Sequence, residues 1–464
     1  HSVHGTVGNI VIRDSANAYR PENVFMDCFT RSDSTHAAIT CGDFVLRLDG
    51  AGSIDHILSR LEATNAEVEK QHNERYIDNM LIRSSLPDVS LYANVGKQNV
   101  FSRMLKRFGY DFHNAFADLA VSRKEGINGR LSIDSLVASG VQIDTIRMAF
   151  TSDSAKTNFE GQIRNNRSNP QFVFNAQMRG AVTKESIYLG TRVYDGRDRL
   201  GIALGLKADM QPGGVKMSLG GIDPVLGYKK FKVNKDNYVF FAENQRISAD
   251  MRLRADDGMG VQIYSNDSTE TKQDLSVSLN QFDLQKVLAV VPYAPQVAGL
   301  LNGDFHWTVS EEGSMSVSSS VSVDRMAYEG CPIGNLSSEF VYMPKDNGKE
   351  HYVDGTLSMD DYEVCALSGM YNAEGEGSID ADMTLSRTPL LLLNGFVPDR
   401  LIHFKGYAQG EVKVKGSLSR PDVNGELYFD SAYVASDPYG VQMRLCDDQL
   451  TINNSRLQFE NFQM

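Results

Sequence analysis

Residues 406–434 read GYAQGEVKVKGSLSRPDVNGELYFDSAYV. Val412 and Val414 alternate with Glu411, Lys413 and Lys415. After the Ser-Arg-Pro-Asp break, Leu427 and Phe429 alternate with Glu426, Tyr428 and Asp430. Successive side chains of a strand point to opposite faces, so this stretch specifies two strands, each apolar on one side and charged on the other. Upstream, PLLLLNGFVPDRLIHF (389–404) reads as a short apolar helix. Downstream, YGVQMRLCDDQLTINNSRLQFENF (439–462) adds Ile452, Leu457 and Phe459 in the same alternation.

The same period runs through most of the chain. Phe172, Phe174, Ala176 and Met178 share one parity, as do Val215, Met217 and Leu219, and then Ile247, Ala249, Met251 and Leu253. Further along come Leu275, Val277 and Leu279, then Met315, Val317, Val321 and Val323, and then Ile379, Ala381, Met383 and Leu385. One-sided sheets of this kind are antiparallel as a rule. The fold class expected is therefore all-β with a few helical interruptions. Val317, Val323, Leu357, Met359, Met383, Val412, Val414, Leu427, Phe429, Ile452 and Phe459 should share the apolar face. Lys413, Lys415, Glu426, Tyr428 and Gln458 should lie on the other.

Helical spacing interrupts this pattern in four places. Residues 53–76 carry Ile54, Ile57, Leu58 and Leu61 behind Ser53 as N-cap. Residues 98–120 carry Phe101, Met104, Leu105, Phe108 and Phe112. Two shorter helices are expected near 282–299 and 389–404. Internal likeness points to repeated layers. Val291-Pro292 with Gly299 and Gly303 matches Val397-Pro398 with Gly406 and Gly410. Asp134, Gly140, Ile143 and Ile146 match Asp324, Gly330, Ile333 and Leu336 at one constant offset. Repeats that bury an apolar face only by continuing into the next layer leave this signature. The resulting division is 1–125, 126–281, 282–388 and 389–464, with 53–76 and 98–120 in the first segment and a leading helix in each of the last two.

Composition narrows the function. In 464 residues, 41% are hydrophobic and 39 are glycine, and the net charge is −13. That charge disfavours nucleic acid, which needs clustered cations, and disfavours simple docking on anionic lipid surfaces. The five cysteines, Cys28, Cys41, Cys331, Cys365 and Cys446, show no metal-binding spacing. Cys28 and Cys41 could pair across neighbouring strands, with inert buried thiols as the other reading. No run reaches the roughly 18 apolar residues of a membrane span. The chain opens in mid-pattern at His1 and stops at Met464 after an apolar strand, so it reads as an excerpt of a longer protein.

A search for chemistry returns little. There is no G-x-S-x-G, H-E-x-x-H, P-loop, dinucleotide fingerprint or EF-hand loop. The nine histidines are scattered, with no i, i+4 pair to hold a metal. Asp256-Asp257, Asp360-Asp361 and Asp447-Asp448 sit among turn residues and read as solvated turns. Trp307, the single tryptophan, reads as core packing, and its isolation argues against a carbohydrate platform. No enzyme activity and no cofactor are expected.

Three segments resemble the TamB family of the AsmA-like superfamily, bridge-like lipid transfer proteins, in the form found in Bacteroidales. They are FKVNKDNYVFFAENQRISADMRLRADDGMGVQIYSND (231–267), LNGDFHWTVSEEGSMSVSSSVSVDRMAYEGCPIGNLSSEFVYMPKDNG (301–348) and 406–434. The likeness runs from about 222 to 464. It implies an elongated, taco-shaped (U-shaped) β-groove with an apolar interior in the periplasm of a Gram-negative bacterium. Phospholipid acyl chains would lie in that groove. It further implies an inner-membrane anchor and an outer-membrane β-barrel partner, both carried by regions beyond this chain. The expected function is a conduit moving phospholipid between inner and outer membrane. Two alternatives stand beside it: an assembly factor for outer-membrane β-barrel proteins acting by strand addition, and a carbohydrate-active enzyme with a carboxylate pair in a cleft.

Overall fold

A computed structural model describes residues 2–10, 22–266, 271–345, 349–396, 402–436, 439–444 and 449–459. It is 65% strand and 11% helix. Among the described residues, 32 strands belong to one antiparallel sheet that is not closed. The chain divides into two units, His1–Lys230 with Asn237–Gln245, and Phe231–Asp236 with Arg246–Met464.

In the first unit the ladder follows chain order. It begins at Ser2–Ile10 paired with Glu22–Thr30 and continues strand by strand to Gly214–Leu219, which pairs with Tyr238–Ala242. The long hairpin Gly126–Ala138/Val141–Ser152 turns through Ser139 and Gly140, with φ of 49° and 81°. In the second unit the hairpin Met315–Tyr328/Cys331–Pro344 turns through Glu329 and Gly330, with φ of 47° and 77°. Two positive φ values define the mirror-image turn whose twist suits a tight hairpin. The constant offset between these segments in the sequence is thus one hairpin built twice. Ser135 and Arg325, also left-handed at 55° and 51°, sit at matching places just before each turn.

The second unit adds a row of bulges. Its ladder slips one residue at Leu279/Phe282, Val323/Met326, Leu385/Thr388 and Lys405/Tyr407. Gln281, Arg325, Arg387 and Ser431 hold positive φ at these slips. All lie near the C-terminal ends of alternate strands, so the bulges line one rim of this unit, and each sharpens the local twist.

Helices occupy less of the chain than its helical spacing suggests. Helix α1 (Ile54–Glu74) forms as expected, with Ser53 Oγ capping the His56 N–H at 3.2 Å. It is followed by an unanticipated α2 (Asn79–Ser85), capped by Asp78. Helix α3 stops at Val100–Arg107, and residues 114–120 of the expected helix form part of the strand Asn114–Ser122. There Ala115, Ala117, Leu119 and Val121 alternate, and pairing on both edges outweighs the coincidental helical spacing. Helix α4 covers only Leu284–Leu288, because Phe282 and Asp283 still belong to a strand and Pro292 and Pro295 forbid continuation. The expected helix at 389–404 is a 3-10 turn, Leu390–Phe396, pinned where Asn394 Oδ1 accepts the Phe404 N–H at 2.6 Å. Residues 397–401 lie outside the described part.

Helices α1 and α2 pack as a hairpin along one row of turns in the first unit. Asn79 bonds the Thr183 carbonyl at 2.6 Å and the Lys184 carbonyl at 2.9 Å. Arg83 donates to the Arg123 carbonyl at 3.1 Å, the Asp153 carbonyl at 2.6 Å and the Lys124 carbonyl. At the far end Arg75 reaches the Ala242 carbonyl at 3.4 Å. Turn carbonyls that would otherwise need water are thereby satisfied. Among the described residues no helix is long and apolar enough to cross a membrane.

Candidate functional site

The feature that organises each unit is one continuous apolar face, traced through the register. In antiparallel strands, directly opposed residues point to the same side. In the second unit Met251 faces Ile263, Ile263 faces Val277, Val277 faces Phe305, and Leu275 faces Trp307. Trp307 then faces Val317, Val317 faces Tyr342, and Val323 faces Leu336, which faces Met359. Leu357 faces Cys365, Cys365 faces Leu385, and Leu367 faces Met383. Met383 faces Val412 and Ala381 faces Val414, which faces Val423. Leu427 faces Leu450, while Ile452 faces Gly425 on one side and Leu457 on the other. Phe429 faces Ala408.

Val317, Val323, Leu357, Met359, Met383, Val412, Val414, Leu427, Phe429 and Ile452 therefore share one face. Phe459 stands opposite Leu450 in the ladder, and its side chain lies outside the described part. The opposing set is equally consistent. Lys413 faces Asp382 and Asn424, Lys415 faces Asp380 and Asp422, Glu426 faces Glu411 and Thr451, Tyr428 faces Gln409, and Gln458 faces Thr451. Ion pairs lace this polar side, with Lys415–Asp380 at 2.9 Å and Lys413–Asp382 at 3.2 Å. The hydrogen bond from Lys415 holds the Asp380 carboxyl below its ordinary range.

The first unit repeats the arrangement. Leu48 faces Leu91, which faces Leu119. Leu131 faces Met148, Phe150 faces Phe159, and Leu189 faces Leu206, which faces Leu219. Cys28 pairs with Ala37, whereas Cys41 pairs with Phe44, so these two thiols are not neighbours and both are free.

The apolar faces are incompletely covered. Val412 and Ala381 are buried, but Val317, Val323, Leu357, Met359, Met383, Val414, Leu427, Phe429 and Ile452 are only half-buried. Buried clusters include Val24–Cys41–Val100 in the first unit and Leu390–Ala408–Ala432 in the second, and Ala249, Met251 and Leu253 are buried as well. The accessible surface is 26,948 Å². A compact monomer of 51.4 kDa exposes about 17,000 Å², and two compact halves about 21,000 Å². The total accessible surface therefore exceeds that of two sealed globules of this mass.

The polar faces carry open depressions. One of 660 Å³ in the first unit is lined by Arg130, Arg147, Glu160, Gln162 and Arg179. Another of 590 Å³ in the second holds Asp274, Asp304, His306 and several serines. His306 Nε2 meets Asp274 at 2.8 Å, and Ser278 donates to Asp304 at 2.6 Å. The backbone around His306 is engaged in the ladder on both sides, leaving no pair of N–H groups for an oxyanion. Asp256-Asp257 and Asp360-Asp361 sit in turns, while Asp447-Asp448 lies outside the described part. Among the described residues no cluster of His, Cys, Asp and Glu is placed to hold a metal ion.

The register also adds face members that alternation alone did not single out, including Leu336, Val353, Leu367 and Val423. Each lies in a strand of weak contrast, where serine or glycine occupies the neighbouring inward positions. Comparison with known proteins finds no matching family model, no matching curated protein and no matching solved structure.

Proposed function

We propose that the apolar face binds the acyl chains of phospholipids and that the protein conducts lipid between the two membranes of a diderm bacterium. One observation carries this reading: an apolar face kept in register from strand to strand up to the bulged rim, yet left half-covered over much of its length. Folding normally hides such a surface against a second layer, and large exposed apolar patches mark binding surfaces. A buried methylene is stabilised by about 0.8 kcal/mol, so a lipid tail gains comparably on this face and in a bilayer. Movement along it is then nearly thermoneutral, which suits a conduit better than a store. A periplasmic location, an inner-membrane anchor and an outer-membrane barrel partner belong to the same proposal, on the strength of the sequence resemblance.

The test is lipid transfer between donor and acceptor vesicles by purified protein, with Val414→Asp as the variant. The wild type should accelerate transfer. The variant should melt within a few degrees of it and transfer poorly, because a half-exposed site can hydrate one charge that a sealed core would reject at a cost of several kcal/mol. No transfer by the wild type contradicts the proposal. Saturable binding of unfolded barrel strands without transfer would support strand addition at a ladder edge instead.

A further inference from the structure

On the apolar face of the second unit, opposite the rim of bulges, three polar rings gather near the strand ends. Tyr342 and His351 stack with centroids 4.8 Å apart and planes 9° apart. Tyr371, directly opposite His351 in the ladder, lies 6.2 Å from it and 6.3 Å from Tyr342. Gly377 has φ of 76° and lies beneath Tyr371. A Cβ there would stand 2.4 Å from the tyrosine hydroxyl, so the ring depends on that glycine. His351 is 8% exposed, and its Nδ1 is buried without a hydrogen-bond partner. Trp307, two strands from Tyr342 in the same cross-strand row, has a buried Nε1 in the same condition.

Burying a polar nitrogen unpaired is unfavourable, and native proteins rarely do so without cause. Here two occur on one face, whereas the buried Gln273 in the same rows bonds the Ile247 N–H and carbonyl. Burial, with Tyr371 beside it, pushes the Tyr342 hydroxyl above its ordinary pKa, keeping it a neutral donor. The nearby rim cations are already engaged, Lys345 with Glu350 at 3.5 Å and Lys349 with Glu374 at 2.6 Å. A phosphate or free carboxylate is best matched by arginine or lysine. Tyrosine hydroxyls beside an unpaired imidazole nitrogen on an apolar wall match an uncharged polar group bearing long hydrocarbon.

We propose that Tyr342, His351 and Tyr371 form a site for the ester carbonyl of an acylglycerol, which seats the lipid's glycerol region near the strand ends while its chains run along the apolar rows. This inference rests on the lipid-binding reading and adds to it a polar recognition element.

The experiment compares two phosphatidylcholines of identical head group and chain length, one diacyl and one dialkyl ether-linked, binding to delipidated protein. The wild type should prefer the diacyl lipid about fivefold to tenfold, the worth of one or two neutral hydrogen bonds. His351→Phe keeps the ring stack and should abolish that preference by bringing diacyl binding down to the dialkyl level. Tyr371→Phe, which retains the packing over Gly377, should diminish it and serves if the first variant does not fold. Equal binding of the two lipids by the wild type, or a preference that survives both substitutions, overturns the ester site and leaves lipid binding standing. If neither lipid binds, both the site and the lipid-binding reading fall.

Discussion

Val414 and Lys413 are adjacent in sequence and belong to different surfaces. The valine stands between Ala381 and Val423, and the lysine between Asp382 and Asn424. Such contrasts were readable from alternation because a strand of period two cannot place neighbours on one side. The ring cluster was not readable. His351 and Tyr371 are twenty positions apart, and only the register of their hairpin puts them opposite each other. A different residue illustrates the electrostatics of the turns. Burial disfavours the charge of Asp195, but bonds from Arg199 through backbone and guanidinium, from the Arg197 N–H and from Tyr228 outweigh it and hold the carboxyl at about 2. A carboxyl held below its unfolded value stabilises the fold above about pH 4 and ceases to do so as pH falls through about 2. Asp195→Asn should therefore lower the stability of the first unit at pH 7 by at most about 2 kcal/mol, less where solvent screens the pair. Urea unfolding at pH 7 and pH 2 checks this: most of the difference from wild type should be lost at the lower pH.

At the scale of elements, the strands and helix α1 were legible and the ends of the other helices were not. Helical spacing from Phe101 to Phe112 extends across α3, Gly109 and the start of a strand, and spacing alone cannot report that residues 114–122 gain a ladder on both edges. Helix α2 was overlooked although Asp78 supplies an N-cap, because seven residues carry too little periodicity. Its position matters more than its length. One side chain, Arg83, ties it to the turns at 123–124 and 153. Arg83→Ala should cost about 1–2 kcal/mol and raise amide exchange in residues 122–126 and 152–156. Unchanged exchange there would mean that α2 merely rests on the turns. The bulge row in the second unit was half visible, since the recurring valine-proline and glycine pairs mark its segments. The left-handed conformations at Gln281, Arg325, Arg387 and Ser431 were not visible, because those residue types do not advertise positive φ.

At the scale of the molecule, each unit is a one-sided antiparallel ladder whose apolar face stays in register while remaining partly accessible. Register is what makes that face continuous, since a slip of one residue would interrupt it with lysine and aspartate. An ordinary closed core and a lipid-bearing surface make opposite demands on the same residues: the first excludes every ligand, and the second must admit one. The most direct test is photo-crosslinking in living cells with a benzophenone side chain placed at Val414 or Phe429 on the apolar face and at Lys413 or Tyr428 on the polar face. The account predicts phospholipid adducts at Val414 and Phe429 and none at Lys413 or Tyr428. Equal labelling of both faces, or no lipid at Val414 and Phe429 in folded protein, would contradict it.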